Sequence, residues 1–147
     1  MEPEFRRAAR LVVVDQQMRI FLFQHEDTDR TFWATPGGGL EGDETFEEAA
    51  AREANEELSL RAEALVPLWQ RTVDFRFRGR LIHQVEQYFL LRLPQPDRST
   101  WDVLGDANRR EGIIAGRWWT AEEIGTTLEQ VFPVDLRERL ADVTEGR

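Results

Sequence analysis

The sequence predicts an α/β domain in which a mixed β-sheet is held between helices. Three observations predict it. Strand-type apolar segments stand on both sides of a single long helical run, and capped helical segments follow at the C-terminal end. The run from Phe46 to Leu58 contains no helix breaker, and Ala49, Ala50, Ala51 and Ala54 are strong helix formers. A length of 147 residues suits one domain, 1–147, with a sizeable core.

In chain order, Ala8 to Val14 reads as the first strand, its Leu11-Val12-Val13-Val14 run suiting cover on both faces. Asp15-Gln16-Gln17 makes a turn, and Met18 to Gln24 returns as the second strand of a hairpin. The polar residues His25 to Thr31 read as a loop, and Pro36-Gly37-Gly38-Gly39 as a glycine-rich turn. Thr45 is placed to cap the central helix, with Glu48 completing a capping box. A third strand is expected over Ala62 to Val73. Phe75-Arg76-Phe77-Arg78 then alternates strictly, with Gly79 in the following turn. His83 to Leu93 is a further strand, and Pro94 to Arg110 a polar insert containing Trp101. Ile113 to Trp119 forms the last strand. Thr120 caps a helix through a second box with Glu123, and a final amphipathic helix after Pro133 uses Val134, Leu136, Leu140 and Val143.

Composition excludes several functions. The chain has no cysteine, which rules out thiol catalysis, disulfides and cysteine-bound metal centres. Its formal charge of −9 argues against DNA or RNA duplex binding, which needs a basic surface. No apolar run is long enough for a membrane span or a signal segment, so the expected location is cytoplasmic.

The chemistry concentrates between Thr35 and Leu60, where eight carboxylates stand against one base, Arg52. On a helix Glu53, Glu56 and Glu57 share one face at i, i+3 and i+4, a spacing at which like charges repel. They also lie toward the negative end of the helix dipole. Divalent cations would offset both penalties, since hard oxygen ligands suit Mg²⁺ or Mn²⁺. A simply solvated acidic face fits the carboxylate count equally well. The three glycines beside the helix imply close approach to backbone, and Arg52 can orient a neighbouring carboxylate.

Gly38, Glu44 and the run Arg52-Glu53-Ala54-Asn55-Glu56-Glu57-Leu58-Ser59-Leu60 closely resemble the signature box of the Nudix hydrolases, with Ser59 where that box has glycine. The resemblance implies an α/β/α sandwich with a mixed sheet. It implies an enzyme that cleaves a pyrophosphate bond in a nucleoside di- or triphosphate derivative by water attack on phosphorus. Glu53, Glu56 and Glu57 then align with metal-binding carboxylates, Glu44 with an auxiliary ligand, and Arg52 with a bracing residue. Gly37, Gly38 and Gly39 align with the loop that shapes the site, and Gly38 with its backbone contact to metal. An additional carboxylate is expected ahead of the last strand, where Glu111 stands, with Glu86 as competitor. Mg²⁺ or Mn²⁺ is the implied cofactor, a small nucleotide the implied partner, and a homodimer is common among relatives. A nucleotide-binding sensor without turnover on the same fold is the alternative.

Other residues admit two readings each. Trp33 either fills core or lines the substrate cleft, and Arg76 either carries surface charge or reaches a substrate phosphate. Trp101 either packs down its loop or stacks on a base. Glu86, on a strand covered on both faces, must be paired by a base or face the metal cleft.

Overall fold

The computed structural model describes residues 2–28, 30–61, 65–93 and 112–144. In chain order the elements are β1 (Glu4–Val14), β2 (Ile20–Asp27), β3 (Arg30–Ala34), β4 (Gly37–Gly39), α1 (Phe46–Leu58), β5 (Val66–Phe77), β6 (Arg80–Arg92), β7 (Ile113–Trp119), α2 (Ala121–Thr126), β8 (Val131–Phe132) and α3 (Leu136–Thr144). They fall into two compact units. The first comprises Met1–Val12 and Pro36–Leu91, the second Val13–Thr35 and Arg92–Arg147.

In the first unit the strand order is β5–β6–β1, and β4 pairs antiparallel with β1. Arg78 and Gly79 close the β5–β6 hairpin between Phe77 and Arg80, both with left-handed φ (52° and 78°). Two such residues form the turn whose twist matches the flanking strands. β5 is therefore one strand through Phe77, rather than a strand to Val73 followed by a separate end. Its register shifts between Pro67 and Gln70, where proline cannot donate to the ladder. Ala62 and Ala64, expected to open this strand, lie outside the described residues.

The expected glycine turn is a short strand. Ala8, Ala9 and Arg10 pair with Gly39, Gly38 and Gly37, and the Leu11 amide donates to the Pro36 carbonyl at 2.8 Å. The approach is tight: a Cβ on Gly37 would lie 2.1 Å from the Ala9 carbonyl oxygen, and its φ of 137° suits glycine alone.

α1 has the expected capping box. The Glu48 amide donates to the Thr45 hydroxyl at 3.1 Å and the Thr45 amide to the Glu48 carboxylate at 2.9 Å. Ala49, Ala50, Ala54 and Leu58 are buried along one stripe. The helix ends at Ser59 in the left-handed conformation (φ 54°, ψ 34°), its amide donating to the Asn55 carbonyl at 3.0 Å. Glycine usually fills this position because a Cβ there is strained.

In the second unit β2 pairs antiparallel with β3 and β7, while β3 pairs parallel with β8, so the pairing is mixed. Ile20, Leu22 and Phe23 on β2 and Ile113 and Trp119 on β7 are fully or almost fully buried. The turn into β2 is built on buried Asp15, whose carboxylate accepts from the Gln17 and Arg19 amides at 2.9 and 2.8 Å and from Arg19 Nε at 2.7 Å. The predicted loop His25 to Thr31 is mostly strand: His25 pairs with Phe32 and Glu26 with Thr31. Ring stacking of His25 on Phe32 (5.2 Å, 7° between planes) reinforces that ladder, which outweighs the polar composition. α2 shows the predicted capping box between Thr120 and Glu123. In α3, Leu136, Leu140 and Val143 are buried as expected, but Val134 precedes the helix and is 75% exposed. The insert Pro94 to Arg110, with Trp101, lies outside the described residues. No helix among the described residues is long and apolar enough to cross a membrane.

Two predictions follow from these helix ends. Ser59→Gly relieves the left-handed strain and should raise stability by about 0.5–1 kcal/mol, seen as a melting temperature about 3 °C higher. The Thr120 amide, helped by Arg117, holds Glu123 below the usual glutamate range. A depressed carboxylate contributes stability above the unfolded pKa and loses it as pH falls through its folded value. A carboxyl ¹³C titration should find Glu123 below an ordinary glutamate, and Arg117→Gln should bring it only part of the way back.

Candidate active site

The predicted site residues of the signature box all lie in the first unit, on β4 and α1. Arg52 is their centre. Its Nε donates to Glu44 Oε2 at 2.8 Å and its Nη2 to Glu44 Oε1 at 2.9 Å, a two-pronged grip on one carboxylate. The same Nη2 donates to the Gly39 carbonyl at 2.9 Å. Its Nη1 donates to Glu53 at 2.6 Å and to Glu56 at 3.3 Å, with Glu41 3.6 Å away. These bonds, with the Glu41 amide that donates to Glu44, hold Glu44 well below the usual carboxylate range; the Arg52 bond is the larger cause. Hydrogen bonding to Glu44, followed by Glu53, in turn raises Arg52.

The three glutamates differ in setting. Glu53 is buried at 7% exposure, and its carboxylate packs against Gly38, where an added Cβ would meet Oε2 at 2.7 Å. Glu57 accepts from the Gly37 amide at 2.8 Å, which ties the helix to the glycine strand. Glu56, with its side chain 52% exposed, has the loosest hold. In an antiparallel ladder alternate residues turn their peptide groups toward the partner. The Leu11–Pro36 and Leu40–Arg7 bonds set that phase, directing the Gly38 peptide groups toward β1 and those of Gly37 and Gly39 to the outer edge.

Beside this cluster is a buried network that the sequence reading only half resolved. Glu86 is 6% exposed. Its carboxylate accepts from Gln84 Nε2 at 2.7 Å and Tyr88 Oη at 2.9 Å, and Arg10 and Arg71 each place Nε 3.5 Å away. Of the two readings for Glu86, pairing by a base is the one observed. Arg10 also donates to the Gly37 carbonyl at 3.3 Å. Burial opposes the charge on Arg10, but Glu86, Tyr88, Glu57 and Glu53 outweigh it and raise its pKa. Burial and then Glu86 push the Tyr88 phenol up. Arg10, Arg71, Gln84 and Tyr88 were not singled out from sequence. The signal was strand parity, since Gln84, Glu86 and Tyr88 alternate onto one face of β6.

The remaining predicted residues are Trp33, Arg76 and Glu111. Trp33 is buried in the second unit, edge-on to Trp119 at 5.1 Å and donating from Nε1 to Glu129 at 3.2 Å, which is the core role. Arg76 is exposed on β5 opposite Leu81. Glu111 lies outside the described residues.

Residues 4–142 match the NUDIX domain, and the chain belongs to that family. The RNA pyrophosphohydrolase of Pseudomonas fluorescens SBW25 is 30% identical over 118 residues, covering 72% of this chain and 74% of that protein. The RNA pyrophosphohydrolase of Sphingopyxis alaskensis is 28% identical over 131 residues, covering 82% of this chain and 80% of that protein. A longer Mycobacterium tuberculosis relative, MutT4, is 31% identical over 89 residues, and the match spans 36% of its length. The crystal structure of a MutT NUDIX hydrolase from Burkholderia pseudomallei has a TM-score of 0.68 at 21% identity, covering 96% of this chain and 99% of that one. That likeness shows the fold, a mixed β-sheet flanked by helices in an α/β/α sandwich. Family and fold together make this a pyrophosphohydrolase domain of the Nudix type, cleaving a pyrophosphate bond in nucleotide-derived substrates.

The family typically uses divalent metal cofactors, and the donor set here is all oxygen, which fits Mg²⁺ or Mn²⁺. Among the described residues no three acidic or histidine side chains gather closely enough to hold an ion. The reason is visible: Arg52 draws Glu44, Glu53 and Glu56 to itself, while the Gly37 amide draws Glu57. The oxygen chemistry of the donors fits a cation, which would have to draw them away from Arg52 and the Gly37 amide.

Removing Arg52 should leave buried Glu53 without its shortest charge partner. Arg52→Ala is expected to cost about 3 kcal/mol in urea unfolding. Arg52→Lys should cost about half of that, because an ammonium cannot serve both Glu44 oxygens and Gly39 at once.

Proposed function

We propose that this domain hydrolyses a pyrophosphate bond in a small nucleotide derivative, with Mg²⁺ or Mn²⁺ held by Glu53, Glu56 and Glu57, assisted by Glu44. The observation that carries the reading is the Arg52 hub, which binds Glu44, Glu53 and Glu56 beside an unusually close glycine strand. Bound there, the cation supplies charge neutralisation at phosphoryl oxygens and lowers the pKa of water. The protein does the rest. Arg52 fixes the orientation of Glu44 and Glu53, and the Gly37 amide fixes Glu57. Glu56, the most exposed and least tightly held of the three, is the carboxylate best able to take a proton from the attacking water. Gly38 contributes the absence of a side chain, which lets Glu53 lie against the strand.

The net charge of −9 favours small substrates over duplex nucleic acid. Two of the relatives are RNA pyrophosphohydrolases, so an RNA chain bearing a pyrophosphate group belongs among the candidates alongside nucleoside triphosphates, dinucleoside polyphosphates and nucleotide sugars. A panel of these with Mg²⁺, scored by product, identifies the substrate. The same assay separates an enzyme from a sensor, which would bind without turnover, and from an acidic interaction module, which would need no metal.

Glu56→Gln should lower kcat by about 100-fold or more, with the melting temperature unchanged within about 2 °C. Hydrolysis at the normal rate by that variant would overturn the assignment.

A further inference from the structure

Arg6 is a basic residue of the first unit that the pyrophosphohydrolase chemistry leaves without a task. It lies on the same face of β1 as Arg10, two pleats away, while Ala9 on the opposite face pairs with Gly38, which meets Glu53 of α1. Its guanidinium runs over the glycine strand: a Cβ on Gly39 would lie 3.1 Å from Arg6 Nη2 and 3.7 Å from Nε. The carbonyl of that same glycine accepts from Arg52. Arg6 and Arg52 thus meet the same glycine, one over its Cα and the other at its carbonyl.

Its electrostatic position is unusual. Arg10 and Arg71 each have Glu86 at 3.5 Å, and Arg10 also has the Gly37 carbonyl. Arg6 makes no ion pair or hydrogen bond among the described residues, although it is only partly exposed. Partial burial and repulsion from Arg10 lower its pKa, and the pull of Glu86 does not reverse that. A half-buried guanidinium with five donors and no acceptor loses hydration without recovering it. A fold under no other demand would turn such a side chain outward or give it a carboxylate, and this chain has 28 acidic residues to draw on. An anion lying over Gly39 would satisfy the donors and relieve the repulsion between the two arginines. Glycine at that position leaves room for it, since a side chain there would meet the guanidinium.

We propose that Arg6, with Arg10 anchored behind it by Glu86, forms a phosphate subsite that grips non-bridging oxygens of the substrate's polyphosphate. The ligand class is a pyrophosphate or longer polyphosphate group, and Arg6 is a binding residue, not a proton carrier. This rests on the pyrophosphohydrolase reading for its substrate, but its test does not depend on turnover. Arginine suits the role because its planar fork matches two oxygens of one phosphoryl group, and its binding does not require the cation that the carboxylates would hold.

The test uses the whole chain with inorganic pyrophosphate as probe, in excess EDTA, by titration calorimetry. Arg6→Gln should weaken binding about tenfold or more, and Arg6→Lys about threefold, because the ammonium keeps the charge and loses the fork. Arg7→Gln, at an exposed side chain on the other face of β1, controls for net charge and should match the wild type within about twofold. With Mg²⁺ and the substrate found in the panel, Arg6→Gln should raise KM about tenfold and leave kcat within about threefold. Equal pyrophosphate binding by wild type and Arg6→Gln overturns the subsite, as does an equal loss in Arg7→Gln, or no binding by the wild type. Arg6-dependent binding without hydrolysis of any nucleotide would sink the enzymatic reading and keep the subsite. Hydrolysis with Arg6-independent binding and KM would do the reverse.

Discussion

One guanidinium sets the terms for the glutamate-bearing helix. Glu53, Glu56 and Glu57 occupy one face near the negative end of the α1 dipole, an arrangement that α-helical electrostatics alone would disfavour. Arg52 offsets it by binding Glu44, Glu53 and Glu56 together with the Gly39 carbonyl. Its planar donors meet the two Glu44 oxygens in parallel, which fixes the ring of carboxylates in angle as well as distance. The same grip explains why the described side chains are splayed around the arginine and not drawn to a common point. An ion entering the cluster would exchange some of those bonds for its own.

That hub needs the glycine strand to be where it is. β4 can reach β1 because Ala8 and Ala9 are small and Gly37 and Gly38 have no side chains: one would strike the Ala9 carbonyl, the other the Glu53 carboxylate. Ala49, Ala50 and Ala54 bring α1 in from the other direction. Close approach then lets the Gly37 amide reach Glu57, and the Gly37 carbonyl reach Arg10. Through Arg10 the network continues to Glu86, so two clusters that look separate in the sequence share one peptide segment.

Much of this was legible in the residues. Both capping boxes, at Thr45 with Glu48 and at Thr120 with Glu123, depend on local chemistry and appear where expected. The spacing of Glu53, Glu56 and Glu57 and the presence of Arg52 carried the family. Elements decided by pairing with distant strands were less legible. The His25 to Thr31 segment looks like a loop until Phe32 and Ile113 are seen across from His25, and Gly37–Gly39 looks like a turn until Ala8–Arg10 is. Glu86 advertised a burial problem, yet only strand register shows that Arg10 and Arg71 solve it. Val134 is apolar yet outside the helix, which begins two residues later, because apolar character alone does not fix where a helix starts.

The β5–β6 hairpin has a consequence for how the chain reaches this state. Its strands of 12 and 13 residues are joined by only two, so pairing can start beside the turn at Phe77 and Arg80 and extend outward. Loop closure of that kind is entropically cheap, and hairpins form within about 1–10 µs. Arg71, Gln84, Glu86 and Tyr88 are thereby assembled on one ribbon as an early unit. The far more distant partner Arg10 must dock onto a carboxylate already held by its neighbours, a sequence of events that lets long-range topology form around a prepared polar template instead of an exposed charge.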